Sequence, residues 1–157
     1  MKRSRKSLSK PAELAVTQFN KGFNCSQAVF SAFCREKKIP MAISLSVASP
    51  FGAGIGRTGR TCGAVIGGIM AIGLHHGHTK AKDLEKKEVA YRRTREFIDQ
   101  FITRNGTIIC KDLLGCDLSA PEGLEIAKAN DYHHTRCPKF VRDAAEIVVK
   151  LEGRRKV

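Results

Sequence analysis

Tryptophan is absent from this 157-residue chain, and only two tyrosines are present. Few aromatic platforms are therefore on offer for stacking unpaired bases, the usual means by which single-strand binders hold nucleic acid. No run of about 18 to 20 apolar residues occurs. The longest candidate, Gly63 to Leu74, is shorter and glycine-rich, and reads as a buried helix rather than a membrane span. CxxC and HxxxH pairs are both missing, which removes the local spacing on which zinc ribbons and helical metalloprotease sites rest. Met1 to Lys10 is basic and leads into Pro11, Glu13 and an amphipathic pattern, with no apolar signal segment. A soluble, cytoplasmic protein is the expectation.

Acidic residues are also scarce: 15 stand against 28 Lys and Arg, for a net charge of +13. Eight of those basic residues fall at the ends, in Lys2, Arg3, Arg5, Lys6 and Lys10 and in Arg154, Arg155 and Lys156. Others are locally compensated, Asp83 preceding Lys87 and Glu88 preceding Arg92 by one helical turn. The charge is read as solvated tails and faces; phosphate attraction is the lesser reading. With 42% hydrophobic and 27% charged residues, the composition suits one globular domain over 11–152, flanked by basic tails at 1–10 and 153–157.

The patterning predicts an all-α, irregular helical bundle. Ser9 can cap a first helix that buries Ala15, Phe19 and Phe23 and ends at Gly22. Asn24 caps a second, with Gln27 placed to close a capping box and Ala28, Val29, Ala32 and Phe33 facing inward. Residues 41–49 alternate as a strand would at Ile43, Leu45 and Val47, but Pro40 suits a helix start, and a short helix is expected. A glycine-rich loop, Phe51 to Gly59, precedes a central apolar helix entered at Thr61. Gly59, Gly63 and Gly67 on one face of it would let two backbones approach closely, within the chain or across a homodimer. The longest helix is expected over Thr79 to Arg104, with Leu84, Tyr91, Thr94, Ile98 and Phe101 inward. Short helices follow over Thr107 to Leu114 and Pro121 to Ala129, and a terminal one from Pro138 buries Phe140, Ala144, Ile147, Val148 and Leu151. No strand pair or repeat is found.

Six cysteines are too sparse for a disulfide scaffold in a chain with a core of this size. Four of them fall at or inside the first turn of an expected helix: Cys25, Cys62, Cys110 and Cys137. Unpaired N–H groups and the helix dipole favour a thiolate there. Arg57 and Arg60 would strengthen this at Cys62, and Arg136 at Cys137. Cys34 and Cys116 lack that help, and their role is left open. Gly54 to Gly59 matches GxGxxG, but no strand precedes it and no acidic residue follows at ribose distance, so the glycines read as loop conformation. With Arg57 and Arg60, the Gly54 and Gly56 loop could instead hold a small anion or substrate at the Cys62 helix. His75, His76, His78, His133 and His134 read as surface residues at helix ends.

The segments Asn24-Cys25-Ser26-Gln27-Ala28-Val29, Gly52-Ala53-Gly54-Ile55-Gly56-Arg57, Cys62-Gly63-Ala64-Val65-Ile66-Gly67 and Cys110-Lys111-Asp112-Leu113-Leu114-Gly115, followed by Cys137, form an ordered set. This set resembles the C-GCAxxG-C-C family of redox-active proteins over roughly residues 12–151. The resemblance implies redox chemistry at Cys25, Cys62, Cys110 and Cys137, and supplies no substrate. Thiol chemistry with Cys62 as preferred nucleophile and another of the four as resolving partner is the leading expectation, acting on an unidentified redox partner or small molecule. The alternative is a zinc ion or iron–sulfur cluster held by the same four residues.

Overall fold

Local signals set most helix starts. In the computed structural model, which describes residues 10–153, α1 spans Lys10–Asn20 and turns at Gly22, whose φ of 100° suits a residue without Cβ. Its proposed cap Ser9 and the basic clusters at 2–6 and 154–156 lie outside the described residues. Asn24 then starts α2 (Cys25–Cys34) with a complete capping box: its side chain accepts from the Gln27 N–H at 3.0 Å, and Gln27 Oε1 accepts from the Asn24 N–H at 3.1 Å. Pro40 begins α3 (Met41–Ala48), so the helical alternative holds there.

Next comes α4 (Gly52–Ile55), a helix by hydrogen bonding only. Ala53, Gly54, Ile55, Gly56 and Arg57 all have φ between 54° and 69°, making one left-handed turn. The Gly56 N–H donates to the Gly52 carbonyl at 2.9 Å, and the Gly54 carbonyl accepts from Thr58 Oγ1 at 2.6 Å and the Arg60 N–H at 3.0 Å. A left-handed conformation costs a residue with a side chain about 1–2 kcal/mol. Ala53, Ile55 and Arg57 all bear that cost, which only surrounding structure can impose.

The apolar helix, α5, covers Gly63–His76, one residue later than a cap at Thr61 implies. Its cap is Cys62, while Thr61 makes an isolated antiparallel bridge to Ile109. The Cys62 N–H donates to Ile108 at 2.8 Å, and the Cys110 N–H to Arg60 at 2.6 Å. This strap joins the two segments that carry Cys62 and Cys110. It also leaves Gly59 off the helix, so only Gly63 and Gly67 form the close-approach face, packed on α2: a Cβ on Gly67 would stand 2.8 Å from the Ser26 carbonyl.

Asp83 caps α6 (Leu84–Asn105) by accepting from the Lys86 N–H at 3.1 Å. Its buried residues are Phe97 and Phe101; Leu84 and Tyr91, expected inward, are more than half or half exposed. Phe97 fills the space left by Gly68, where a Cβ would collide with the ring. Four helices complete the chain: α7 (Cys110–Leu114), α8 (Pro121–Ala129), α9 (Tyr132–Thr135) and α10 (Cys137–Gly153). The core lies where α2 packs on α1, α5 and α10, and α10 is buried through Phe140, Ala144, Ile147, Val148 and Leu151 as the periodicity indicates. The fold is all-α. No helix among the described residues is long and apolar enough to cross a membrane.

Candidate functional site

All four singled-out cysteines occupy helix starts. Cys25, Cys110 and Cys137 are the first residues of α2, α7 and α10, and Cys62 caps α5. All six cysteines are free thiols. The four line one cavity of about 400 Å3, together with Arg57. Cys34 does not: it is buried with Phe30 and Ala48 on the other side of α2. Arg60, Gly54 and Gly56 also lie off the cavity lining. Gly54 has a different task, since a Cβ there would stand 2.7 Å from Cys110 Cβ, so its absence lets the left-handed turn press against the Cys110 segment.

Within the cavity Cys25 and Cys62 form a pair. The Cys62 thiol donates a hydrogen bond to the Cys25 sulfur, which lowers the Cys25 pKa from an ordinary 9.0 to about 7 against the opposing effect of burial. Backbone N–H groups of Ala53, Ser26 and Cys25 itself add to the lowering. Cys62 is pushed the other way, first by its bond to Cys25, then by burial and by the Cys25 and Cys110 charges, with only the Ala64 N–H opposing. The asymmetry has a structural source. Three backbone donors face Cys25 and one faces Cys62, so the shared proton rests on Cys62 and the charge on Cys25. Gly63 makes the approach sterically feasible, because a Cβ there would fall 2.5 Å from Cys25 Sγ.

Helix position alone does not activate the other two. Burial, followed by the Cys25 charge, raises both the Cys110 and the Cys137 thiols to about 12. Arg136 gives Cys137 no help: its guanidinium covers the Tyr132 ring at 4.3 Å, and Nη1 donates to the Leu114 carbonyl at 2.8 Å.

A family model described as "Putative redox-active protein (C_GCAxxG_C_C)" matches residues 23–151, most of the chain and all four helix-start cysteines. The chain belongs to this redox-active C-GCAxxG-C-C family. No curated protein and no solved structure matches the chain.

Several residues of this C-GCAxxG-C-C site escaped the sequence. Cys116 is buried near Cys110 and Cys137, close enough for its charge to act on both; it precedes no helix, so nothing local marked it. His133 stacks on Phe19 at 4.4 Å between ring centroids, and with Tyr132 and Asp131 lines the cavity through α9, a helix with no periodic signal. His75 and His76 are not surface residues as expected. His76 is buried and its Nε2 lies 2.8 Å from Glu152 Oε1, with His75 Nδ1 at 3.5 Å from Oε2, tying the ends of α5 and α10 together. Among the described residues no three His, Cys, Asp or Glu side chains converge closely enough to hold one metal ion. The four cysteines thus line one cavity without forming a three-residue metal site among the described residues.

Proposed function

We propose that this protein is a thiol–disulfide redox protein, working through residues 11–152, in which Cys25 and Cys62 form the exchanging dithiol. The observation that carries this is that Cys25 and Cys62 line one cavity at the packed starts of α2 and α5, with Gly63 directly against Cys25 Sγ, where the Cys62 thiol and three backbone N–H groups favour a Cys25 thiolate. Helix position and nearby arginines favour Cys62 as nucleophile; the donor count favours Cys25 instead. The Cys25 thiolate attacks one sulfur of a disulfide, forming a mixed disulfide while the other sulfur leaves as a thiolate and takes up a proton. Cys62 then loses its proton and attacks the Cys25 sulfur, releasing the second thiol. The substrate gains two electrons and two protons, and the protein gains a Cys25–Cys62 disulfide. Cys62 is suited to resolving because it already touches the sulfur it must attack, and its high pKa keeps it protonated until Cys25 has reacted.

Metal or cluster ligation by Cys25, Cys62, Cys110 and Cys137 would need those residues to converge further than the present geometry brings them. The test is a thiol count with peptide mapping on reduced protein exposed to one equivalent of a mild disulfide. Loss of two of the six thiols, with the Cys25 and Cys62 peptides linked, is expected. Retention of all six without aggregation, linkage of a different pair, or anaerobically purified protein carrying stoichiometric iron or zinc would overturn the reading.

A further inference from the structure

Thiol exchange needs only an approach path to one sulfur, yet these thiols line a cavity of about 400 Å3, within the range of about 300–1,000 Å3 found for small-molecule sites. Cys62 and Cys110 are buried against it, while Cys25 and Cys137 are partly exposed. A bounded space of this size in front of Cys25 suits a small molecule better than the surface of a folded protein. Its walls are hydrocarbon, with Leu113, Leu118, Leu124 and Phe140 contributing. His133 adds to them: burial, then the His134 charge, lowers its pKa, which keeps the ring stacked on Phe19 neutral.

The rim differs from the walls. Arg57, carried by the left-handed turn, and Lys128, carried by α8, both line the cavity, and neither has a carboxylate partner among the described residues. Asp131, the acidic group on the rim, is bonded to His134 Nδ1 at 2.7 Å. Two unpaired cations above an apolar chamber are complementary to an anion attached to an apolar body.

Resting on the dithiol reading above, we propose that the cavity selects small disulfides with a hydrocarbon or aromatic body and an acidic end group. Arg57 and Lys128 hold the acid at the mouth, and the body fills the space between α7, α8 and α10. The disulfide is then delivered to Cys25, which bonds to one sulfur as the S–S bond breaks; Cys62 completes the reduction, and the small molecule leaves as thiol.

The test separates binding from redox chemistry. Octanoate and octylammonium, which cannot react, are titrated by calorimetry into the reduced full-length protein. Octanoate is expected to bind saturably and at least about fivefold more tightly, the scale set by two partly solvated charge contacts. The double variant Arg57→Asn, Lys128→Gln should erase the difference, asparagine being chosen because it tolerates the positive φ of 67° at this position. Rates of Cys25–Cys62 oxidation by the bis(nitrobenzoate) disulfide and by cystamine, each divided by its rate with free glutathione, should show the same preference and lose it in the same variant. Equal binding of the two probes, an unchanged preference in the double variant, or faster oxidation by a protein disulfide would overturn the substrate class even where the Cys25–Cys62 disulfide forms. An octanoate preference in a protein that forms no Cys25–Cys62 disulfide with any oxidant would overturn the dithiol reading and leave the acid-binding cavity supported.

Discussion

Removing the Cys62 thiol should disarm Cys25 at neutral pH, and the size of the effect follows from the hydrogen bond. With its pKa near 7 instead of the ordinary 9.0, Cys25 is about half ionised at pH 7, against about 1% for an unperturbed thiol, a gain of about 50-fold in thiolate. A weaker base is also a weaker nucleophile. With a Brønsted coefficient of about 0.4–0.5, two units lower basicity costs about six- to tenfold in intrinsic rate. The net expectation is that Cys25 alkylates about five- to eightfold faster at pH 7 than an ordinary cysteine, and more slowly than one above pH 9. Cys62→Ala deletes the first-ranked cause of the shift while sparing the backbone donors. It should move the midpoint up toward 9.0 and remove most of the neutral-pH advantage. The assay is the rate of iodoacetamide modification at Cys25, followed by mass spectrometry from pH 5 to 10, in a background where Cys110 and Cys137 serve as slow internal references. A wild-type midpoint above 8.5, or an identical profile in Cys62→Ala, would refute the reasoning.

Three further outcomes are expected. Gly63→Ala puts a methyl group 2.5 Å from Cys25 Sγ and 2.8 Å from the Phe51 carbonyl; it should destabilise by about 1–3 kcal/mol in urea unfolding and raise the Cys25 midpoint by parting the two sulfurs. Asn24→Ala removes the capping box and a hydrogen bond from Asn24 Nδ2 to the Ser49 carbonyl at 2.8 Å, costing about 1–2 kcal/mol; a loss below 0.5 by the same measurement would contradict it. The pKa of Cys25 is lowered on folding, so the unfolded chain binds more protons between pH 7 and 9. Stability of the reduced protein should therefore rise with pH across that window, by at most about 3 kcal/mol, and the contribution should be lost as pH falls through about 7. Above pH 9 the slope reverses, because Cys62, Cys110 and Cys137 stay protonated in the folded state; Cys25→Ala should lack the rising limb.

What the chain announces in advance is whatever neighbours in sequence decide. The Asn24 and Gln27 box, the start of α8 at Pro121 and the stripe of α10 follow from spacing alone, and the helix-start position of four cysteines follows with them. What depends on distant contacts stays hidden. Nothing in Ala53, Ile55 or Arg57 favours positive φ; the strap to the Cys110 segment and the glycines between them impose it. The inward face of α6 departs from the register set by Leu84 because the first half of the helix lies free of the core, and Phe97 is buried instead. Which cysteine carries the charge was unreadable for the same reason: the Ala53 N–H that helps decide it arrives from another element.

The left-handed turn ties the chemistry of Cys25 to a contact made far along the chain. The end of the turn is held to the Cys110 segment by the Thr61–Ile109 bridge and by the hydrogen bonds from the Cys110 N–H to Arg60 and from the Cys62 N–H to Ile108. Its Ala53 N–H is one of the three backbone donors that favour the Cys25 thiolate. Residues that never touch the Cys25 sulfur thus help set its acidity, through the backbone they hold in place.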